Sequence, residues 1–244
     1  MNFFVFDIET IPLPFDSFSE SSQEYILRGT TTEEEIAKRK AEMALTPLTA
    51  QVVCIGLQIV ERNEKTKEDK ILKVGALAVD NALSDSEERR EKLSNDVPCN
   101  MYNEKVCIEK FWNFISKYDP AHLISFNGRA FDAPFLMLRS ALLEVRPSKN
   151  IMSGTKFNYP LHTDLIDELT FYSPSFNYGA TKRFNFDFYT RAFGLPSPKG
   201  EGIDGSKVSE FYNQGKIIDI AEYCLRDVKA TWSLYLLWEK YLHF

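Results

Sequence analysis

Two carboxylates spaced by one residue close the first apolar run of the chain, Asn2-Phe-Phe-Val-Phe-Asp-Ile-Glu-Thr10. The run Phe3–Phe6 is continuous, not alternating, which predicts a short strand buried on both faces. Side chains alternate along a strand, so Asp7 and Glu9 leave on one side, roughly 6 to 7 Å apart. Two acids at the end of a buried strand are costly to hold together unless a cation shares them. The chemistry they suit is therefore that of a divalent-metal site. Asp132 ends the stretch Ser125-Phe-Asn-Gly-Arg-Ala-Phe-Asp, at a predicted helix start. An acid there is as readily a first-turn residue favoured by the helix dipole as it is a ligand. Tyr223 and Asp227 stand four apart on the predicted last helix and so share a face. Ile220, Cys224, Val228 and Thr231 mark that face as the packed one, where a phenol and a carboxylate need a polar partner or an ion.

A scaffold has to bring these positions together. After Thr10 the chain turns through Ile11-Pro-Leu-Pro and enters a polar stretch. Residues 17–46, with a helix start at Thr32 and Glu33–Glu35, read as a helical insertion. Strands are predicted over Gln51–Val60 and Ile71–Val79, joined as a hairpin, and residues 80–103 read as a polar surface loop. Ile108, Phe111, Trp112 and Ile115 have amphipathic helical spacing, closed by Pro120. A fourth strand is expected at His122–Phe126, a turn at Asn127-Gly128, a helix over Phe131–Leu143 and a fifth strand around Leu161–Leu165. The remainder is mostly helical, with a glycine-rich link over Pro196–Gly205. This order predicts one α/β domain over residues 1–244 with a mixed sheet.

Composition narrows the function classes. With 44% hydrophobic and 26% charged residues, a globular protein with a sizeable core is expected. No apolar run approaches the roughly 20 residues of a membrane span, so no membrane partner is expected. The N-terminus opens on a strand, with no basic region or cleavage site to suggest a signal peptide. Cys54, Cys99, Cys107 and Cys224 lack Cys-x-x-Cys spacing, which points to reduced thiols and a cytoplasmic location. The net charge of −6 argues against broad electrostatic capture of nucleic acid. It leaves room for an enzyme that holds a few nucleotides and takes its positive charge from metal ions. Charge is uneven, since residues 129–199 hold nine Lys or Arg against six acids. Aromatic residues from Phe171 to Tyr189 interleave with Lys182 and Arg183, a pattern that suits stacking of single-stranded bases and that loop packing also produces.

Three stretches stand in order: Phe-Asp-Ile-Glu-Thr ending at Thr10, Phe-Asn-Gly-x-x-Phe-Asp ending at Asp132, and Tyr-Cys-x-x-Asp-Val-x-x-Thr starting at Tyr223. Together they resemble the motifs of the DEDDy 3′–5′ exonucleases, in the DnaQ-like branch of the ribonuclease H-like superfamily. The likeness is greatest to the exonuclease domain of family B DNA polymerases and to stand-alone proteins similar to it. His162-Thr-Asp-Leu-Ile-Asp, Gly194-Leu-Pro and Ile203-Asp-Gly-Ser fit that group too. The resemblance covers Asn2 to about Tyr235, apart from residues 17–46 and 80–103. DEDDh relatives have a histidine five residues before the final acid, where this chain has Glu222, so the tyrosine subtype is expected.

What the resemblance implies is a ribonuclease H-like, five-stranded mixed sheet flanked by helices, with Asp7 and Glu9 on the central strand. Asp132 and Asp227 would converge on them from helices. Two divalent ions, Mg²⁺ or Mn²⁺, would be held by Asp7, Glu9, Asp132 and Asp227 for an in-line phosphoryl displacement. Asp7 would bridge the ions, Glu9 and Asp227 would hold the water-activating one, Asp132 would support the other, and Tyr223 would hydrogen-bond the attacking water. The implied partner is a single-stranded nucleic acid with a free 3′ end, DNA ahead of RNA, cut to nucleoside monophosphates. Asn127 would contact the terminal nucleotide, or else stabilise its own turn. Phe131 would stack on a base, or else anchor the core. Backbone at Thr10 and Ile11 would border the 3′ end. Asp164, His122 and His162 read as structural. The rivals are an RNA-trimming exoribonuclease of the same fold and a catalytically inactive nucleic-acid-binding module. Four convergent carboxylates argue against the second, and a stand-alone domain is expected in preference to a polymerase fragment.

Overall fold

The computed structural model describes residues 1–155, 157–197 and 203–243. Its strands are β1 (Asn2–Pro12), β2 (Ala50–Arg62), β3 (Asp69–Val79), β4 (Arg89–Lys92), β5 (Pro98–Tyr102), β6 (Ala121–Ser125) and β7 (His162–Asp164). They form one mixed sheet in the order β4-β5-β3-β2-β1-β6-β7. The helices are α1 (Glu20–Ile26), α2 (Glu33–Glu42), α3 (Glu104–Tyr118), α4 (Asp132–Leu142), α5 (Leu165–Leu169), α6 (Phe186–Ala192), α7 (Val208–Asn213) and α8 (Ile217–Tyr241).

β1 runs antiparallel to β2 and parallel to β6, with helices on both faces of the sheet, which is why its apolar run is unbroken. Phe3 and Val5 enter the core under α8. Phe4, Phe6 and Ile8 enter the core formed with α3 and α4, where the rings of Phe4 and Phe111 meet edge-on at 5.9 Å. On that second face Arg139 of α4 pairs with Glu104 of α3 through Nε–Oε1 at 2.8 Å and Nη2–Oε2 at 2.7 Å. The Val52 amide donates to the same carboxylate.

Among the described residues the sheet has seven strands where five were expected, because residues 80–103 are not a plain loop. They supply β4 and β5 at one edge. β4 reads Arg-Arg-Glu-Lys and is exposed throughout, so no apolar alternation marks it. It is a strand because its backbone pairs with β5, whose Cys99, Met101 and Tyr102 are buried. Residues 17–46 carry α1 and α2, and α2 starts with a reciprocal capping box between Thr32 and Glu35. Of the glycine-rich link over 196–205, residues 198–202 lie outside the described residues. The four cysteines are free and buried. No helix among the described residues is long and apolar enough to cross a membrane.

Candidate active site

The position of the first two acids follows from alternation along β1. Phe3 and Val5 face α8, so Asp7 and Glu9 continue on that face. Across the ladder, Gly56 of β2 stands opposite Asp7 and Cys54 opposite Glu9. A Cβ at Gly56 would lie 2.9 Å from Cys224 Sγ and 3.0 Å from Val228 Cγ2. Glycine there lets α8 descend onto the strand. α8 is held by its buried row of Ile217, Ile220, Ala221, Cys224, Val228, Thr231 and Trp232, spaced for one helical face. Tyr223 and Asp227 border that row and are themselves 7% and 9% exposed.

Asp132 arrives through a separate device. β1 outruns β6, whose pairing with it ends at Val5, and the Ile8 amide beyond donates to Asp132 Oδ1 at 2.9 Å. A buried amide thus gains its acceptor, and the first residue of α4 is tied to the acid-bearing strand. The turn before α4 is fixed by Asp164, whose carboxylate accepts the amides of Asn127 at 2.7 Å and Arg129 at 2.8 Å. Asn127 takes a φ of +66°, and a Cβ at Gly128 would overlap the Ser125 side chain.

Burial and mutual repulsion set the electrostatics. The Asp7 carboxyl is held well above the ordinary range by desolvation, then by Asp132, Asp227 and Glu9. Glu9 is raised by burial, then by Asp227, the Cys54 thiol and Asp132. Burial pushes Asp132 up to about 7 against the opposing Ile8 hydrogen bond, with Asp164 and Asp227 adding to the rise. The Tyr223 phenol is raised by burial and by Asp227, Glu9 and Asp7, and it is hydrogen-bonded to Asp227. It is a protonated donor near neutral pH. The five residues singled out in the sequence are therefore brought together, from three distant segments, closely enough to act on one another's charge.

This donor set fits a divalent cation. Ligand atoms of Asp7, Glu9 and Cys224 lie within 4.8 Å of one another, and the acids offer hard oxygens suited to Mg²⁺ or Mn²⁺. Cys224 was read in the sequence only as packing. Its Sγ accepts the Gly56 amide at 3.1 Å and lies 3.5 Å from the Asp7 carbonyl and 3.7 Å from Asp7 Oδ2. Burial raises its thiol, so it donates toward Asp7. Its place between Tyr223 and Asp227 in one motif was the available signal.

The expected substrate contacts are more varied. Thr10 Oγ1 donates to the Ala44 carbonyl at 2.8 Å, and Ile11 is buried in the α8-side core. Phe131 is partly buried against the other core, its ring 5.6 Å from that of Phe135. Asn127 Oδ1 accepts a hydrogen bond from Arg183, a residue that had been noted only for its charge. His122 and His162 bond Thr163 and Ser125, each at 2.7 Å, and burial lowers them to about 4 and about 3, which leaves both neutral.

A family model described as a predicted 3′–5′ exonuclease related to the exonuclease domain of PolB matches residues 53–242. Asp132, Tyr223 and Asp227 fall inside that span and β1 precedes it. A DNA polymerase of Pyrococcus glycovorans is 24% identical over 147 residues, covering 54% of this chain and 18% of the polymerase. The solved family B DNA polymerase of the hyperthermophilic archaeon Pyrobaculum calidifontis shares the fold, with a TM-score of 0.53 at 18% identity. That match covers 98% of this chain and 24% of the polymerase. The chain thus spans a quarter or less of the polymerases it matches.

Proposed function

The chain belongs to the family of predicted 3′–5′ exonucleases related to the exonuclease domain of PolB, and from that membership we propose that it hydrolyses single-stranded nucleic acid from free 3′ ends. DNA is the favoured substrate and nucleoside monophosphates are the products. Asp7, Glu9, Asp132 and Asp227 would hold two divalent ions, Mg²⁺ or Mn²⁺. Bound there, the ions would supply charge stabilisation to the transferring phosphoryl group and a nucleophilic water at neutral pH.

The observation that carries this reading is the convergence of four acids, in which Asp227 raises Asp7, Glu9 and Asp132, and Asp132 in turn raises Asp7 and Glu9. A fold gains nothing from that repulsion unless a cation offsets it. The chain's own groups then have distinct tasks. Asp132 ties α4 to Ile8. Cys224 donates toward Asp7 and limits its freedom to rotate. Tyr223 keeps its proton, so it cannot serve as the base. Its hydroxyl orients the attacking water by hydrogen bonding, and its link to Asp227 holds the ring in place.

The test is digestion of 5′-labelled single-stranded DNA and RNA, with free or blocked 3′ ends, in Mg²⁺, Mn²⁺ or EDTA. Stepwise shortening of free-ended strands that stops in EDTA is expected. Shortening that persists in EDTA or past a blocked end would count against the mechanism. Well-folded protein that digests no substrate would favour the binding-module alternative, and the DNA and RNA arms decide between the two nuclease readings.

A further inference from the structure

A groove of about 490 Å³ is lined by Arg129, Tyr159, Asp167, Tyr172, Phe176 and Arg183. It lies beside the turn that delivers Asp132, because Arg129 belongs to that turn and Arg183 hydrogen-bonds Asn127 in it. The aromatic run that borders it divides into two parts. Phe126 packs on Phe186 at 4.7 Å and on Tyr189 at 5.6 Å, and Phe184 stacks on Phe188 at 4.2 Å. Each of these has a ring partner, although Phe188 is itself 52% exposed. Phe171, Phe176 and Tyr178 are 66%, 74% and 81% exposed, and among the described residues none of them meets another ring.

The segment that displays the exposed residues is built to hold its shape. Its neck is closed by the Ser175 amide on the Thr181 carbonyl at 3.0 Å and the Arg183 amide on the Ser175 carbonyl at 2.8 Å. Ser175 Oγ reaches the Tyr178 carbonyl at 2.6 Å. Phe176 and Tyr178 therefore project from a tied loop. Phe171 and Tyr172 take left-handed φ angles of 51° and 55°, a conformation costly for aromatic residues. The Tyr172 ring stands 6.0 Å from Tyr159, and the Arg129 guanidinium lies 3.9 Å from the Tyr159 ring centre.

Charge names the occupant. Arg129 is anchored on the carbonyls of Ile151, Met152 and Ser153, whereas Arg183 forms no ion pair among the described residues. Phe176 on the groove wall, Tyr178 exposed on the same tied loop and the Arg183 guanidinium at the Asn127 turn suit bases and phosphates and no purely apolar ligand.

We propose that this groove holds the nucleotides on the 5′ side of the cleaved linkage, with bases stacked on Phe176 and Tyr178 and a backbone phosphate at Arg183. The proposal rests on the exonuclease reading, since it supplies the path of that enzyme's strand.

The test measures binding by fluorescence anisotropy, with the full chain, 5′-fluorescein dT12 or rU12, and Ca²⁺ in place of Mg²⁺. Phe176→Ala/Tyr178→Ala is expected to raise the dT12 Kd at least about tenfold, the scale of losing one or two stacked bases. Arg183→Gln should weaken binding and lower the slope of log Kd against log salt by about one. The parent should bind a 12-mer that is abasic except for its 3′ nucleotide as weakly as the double variant binds dT12. That comparison needs no variant, so it decides the matter even if one misfolds. A Kd within twofold of the parent in both variants, an abasic strand bound as tightly as dT12, or no dT12 binding by the parent would overturn the groove. Digestion of dT12 by the parent in Mg²⁺ is scored separately. Digestion without a variant effect on binding removes the groove alone, and a binding effect without digestion removes the exonuclease reading alone.

Discussion

Two buried acidic sites lie against opposite faces of the sheet and are solved in opposite ways. Under α3 and α4, Glu104 meets a bidentate Arg139 and the Val52 amide, so its charge is compensated within the fold. Under α8, the neighbouring charges acting on Asp7 and Glu9 among the described residues are other acids and a thiol, and each raises the carboxyl it faces. A carboxylate kept only for structure finds its cation inside the protein. Mutual repulsion of that kind suits a site for divalent ions, whereas the Glu104–Arg139 contact is a buried salt bridge.

Substitutions on the two sides should therefore fail differently. Asp7→Ala should lower turnover on single-stranded DNA by on the order of a thousandfold. Its metal-free melting temperature at pH 8 should match or exceed the parent's, because a repelling charge is gone. Glu104→Ala should do the reverse. It leaves Arg139 buried and alone, costs about 3–5 kcal/mol in urea unfolding with EDTA present, and leaves kcat per folded molecule intact. Equal stability losses in the two variants would erase the contrast. Tyr223→Phe is a smaller perturbation. It should lower kcat roughly 10- to 100-fold, the worth of a hydrogen bond to a charged group, with Mn²⁺ affinity preserved. A variant that loses metal binding as well would make Tyr223 part of the ion-holding set.

The smallest effect concerns pH. Asp132 and Asp164 are both raised to about 7, chiefly by burial, so the folded chain holds those protons more tightly than the unfolded chain. Their contribution is fully present below the ordinary carboxylate range and is lost as pH rises through about 7. In EDTA the melting temperature should fall between pH 5 and pH 8. Mn²⁺, which competes with the proton on Asp132, should raise it more at pH 8 than at pH 5. A metal-free melting temperature that climbs across that interval would contradict the shared burial of these acids.

The α8 side was the more legible in sequence. The unbroken Phe3–Phe6 run, the alternation that aligns Asp7 with Glu9, and the four-residue step from Tyr223 to Asp227 are local signals, and local periodicity reads out local geometry. The bond from Ile8 to Asp132 and the seating of Cys224 on Gly56 join residues far apart in the chain, and no periodicity reports such pairs. β4 was missed for a different reason. Arg89–Lys92 are strand residues only through backbone pairing with β5, and backbone hydrogen bonds leave no trace in side-chain pattern. The run from Phe171 to Tyr189 admitted two readings, and the ring contacts of Phe184–Tyr189 against the exposure of Phe176 and Tyr178 separate one half from the other.

The central claim is that the acids under α8 take up a divalent cation. Calorimetric titration of Mn²⁺ into EDTA-stripped parent and into Asp7→Asn at pH 7.5 addresses it without any substrate. The parent should take up Mn²⁺, and Asp7→Asn should bind it at least about tenfold more weakly. A parent that takes up none, or an Asp7→Asn variant that binds it as the parent does, would contradict the account.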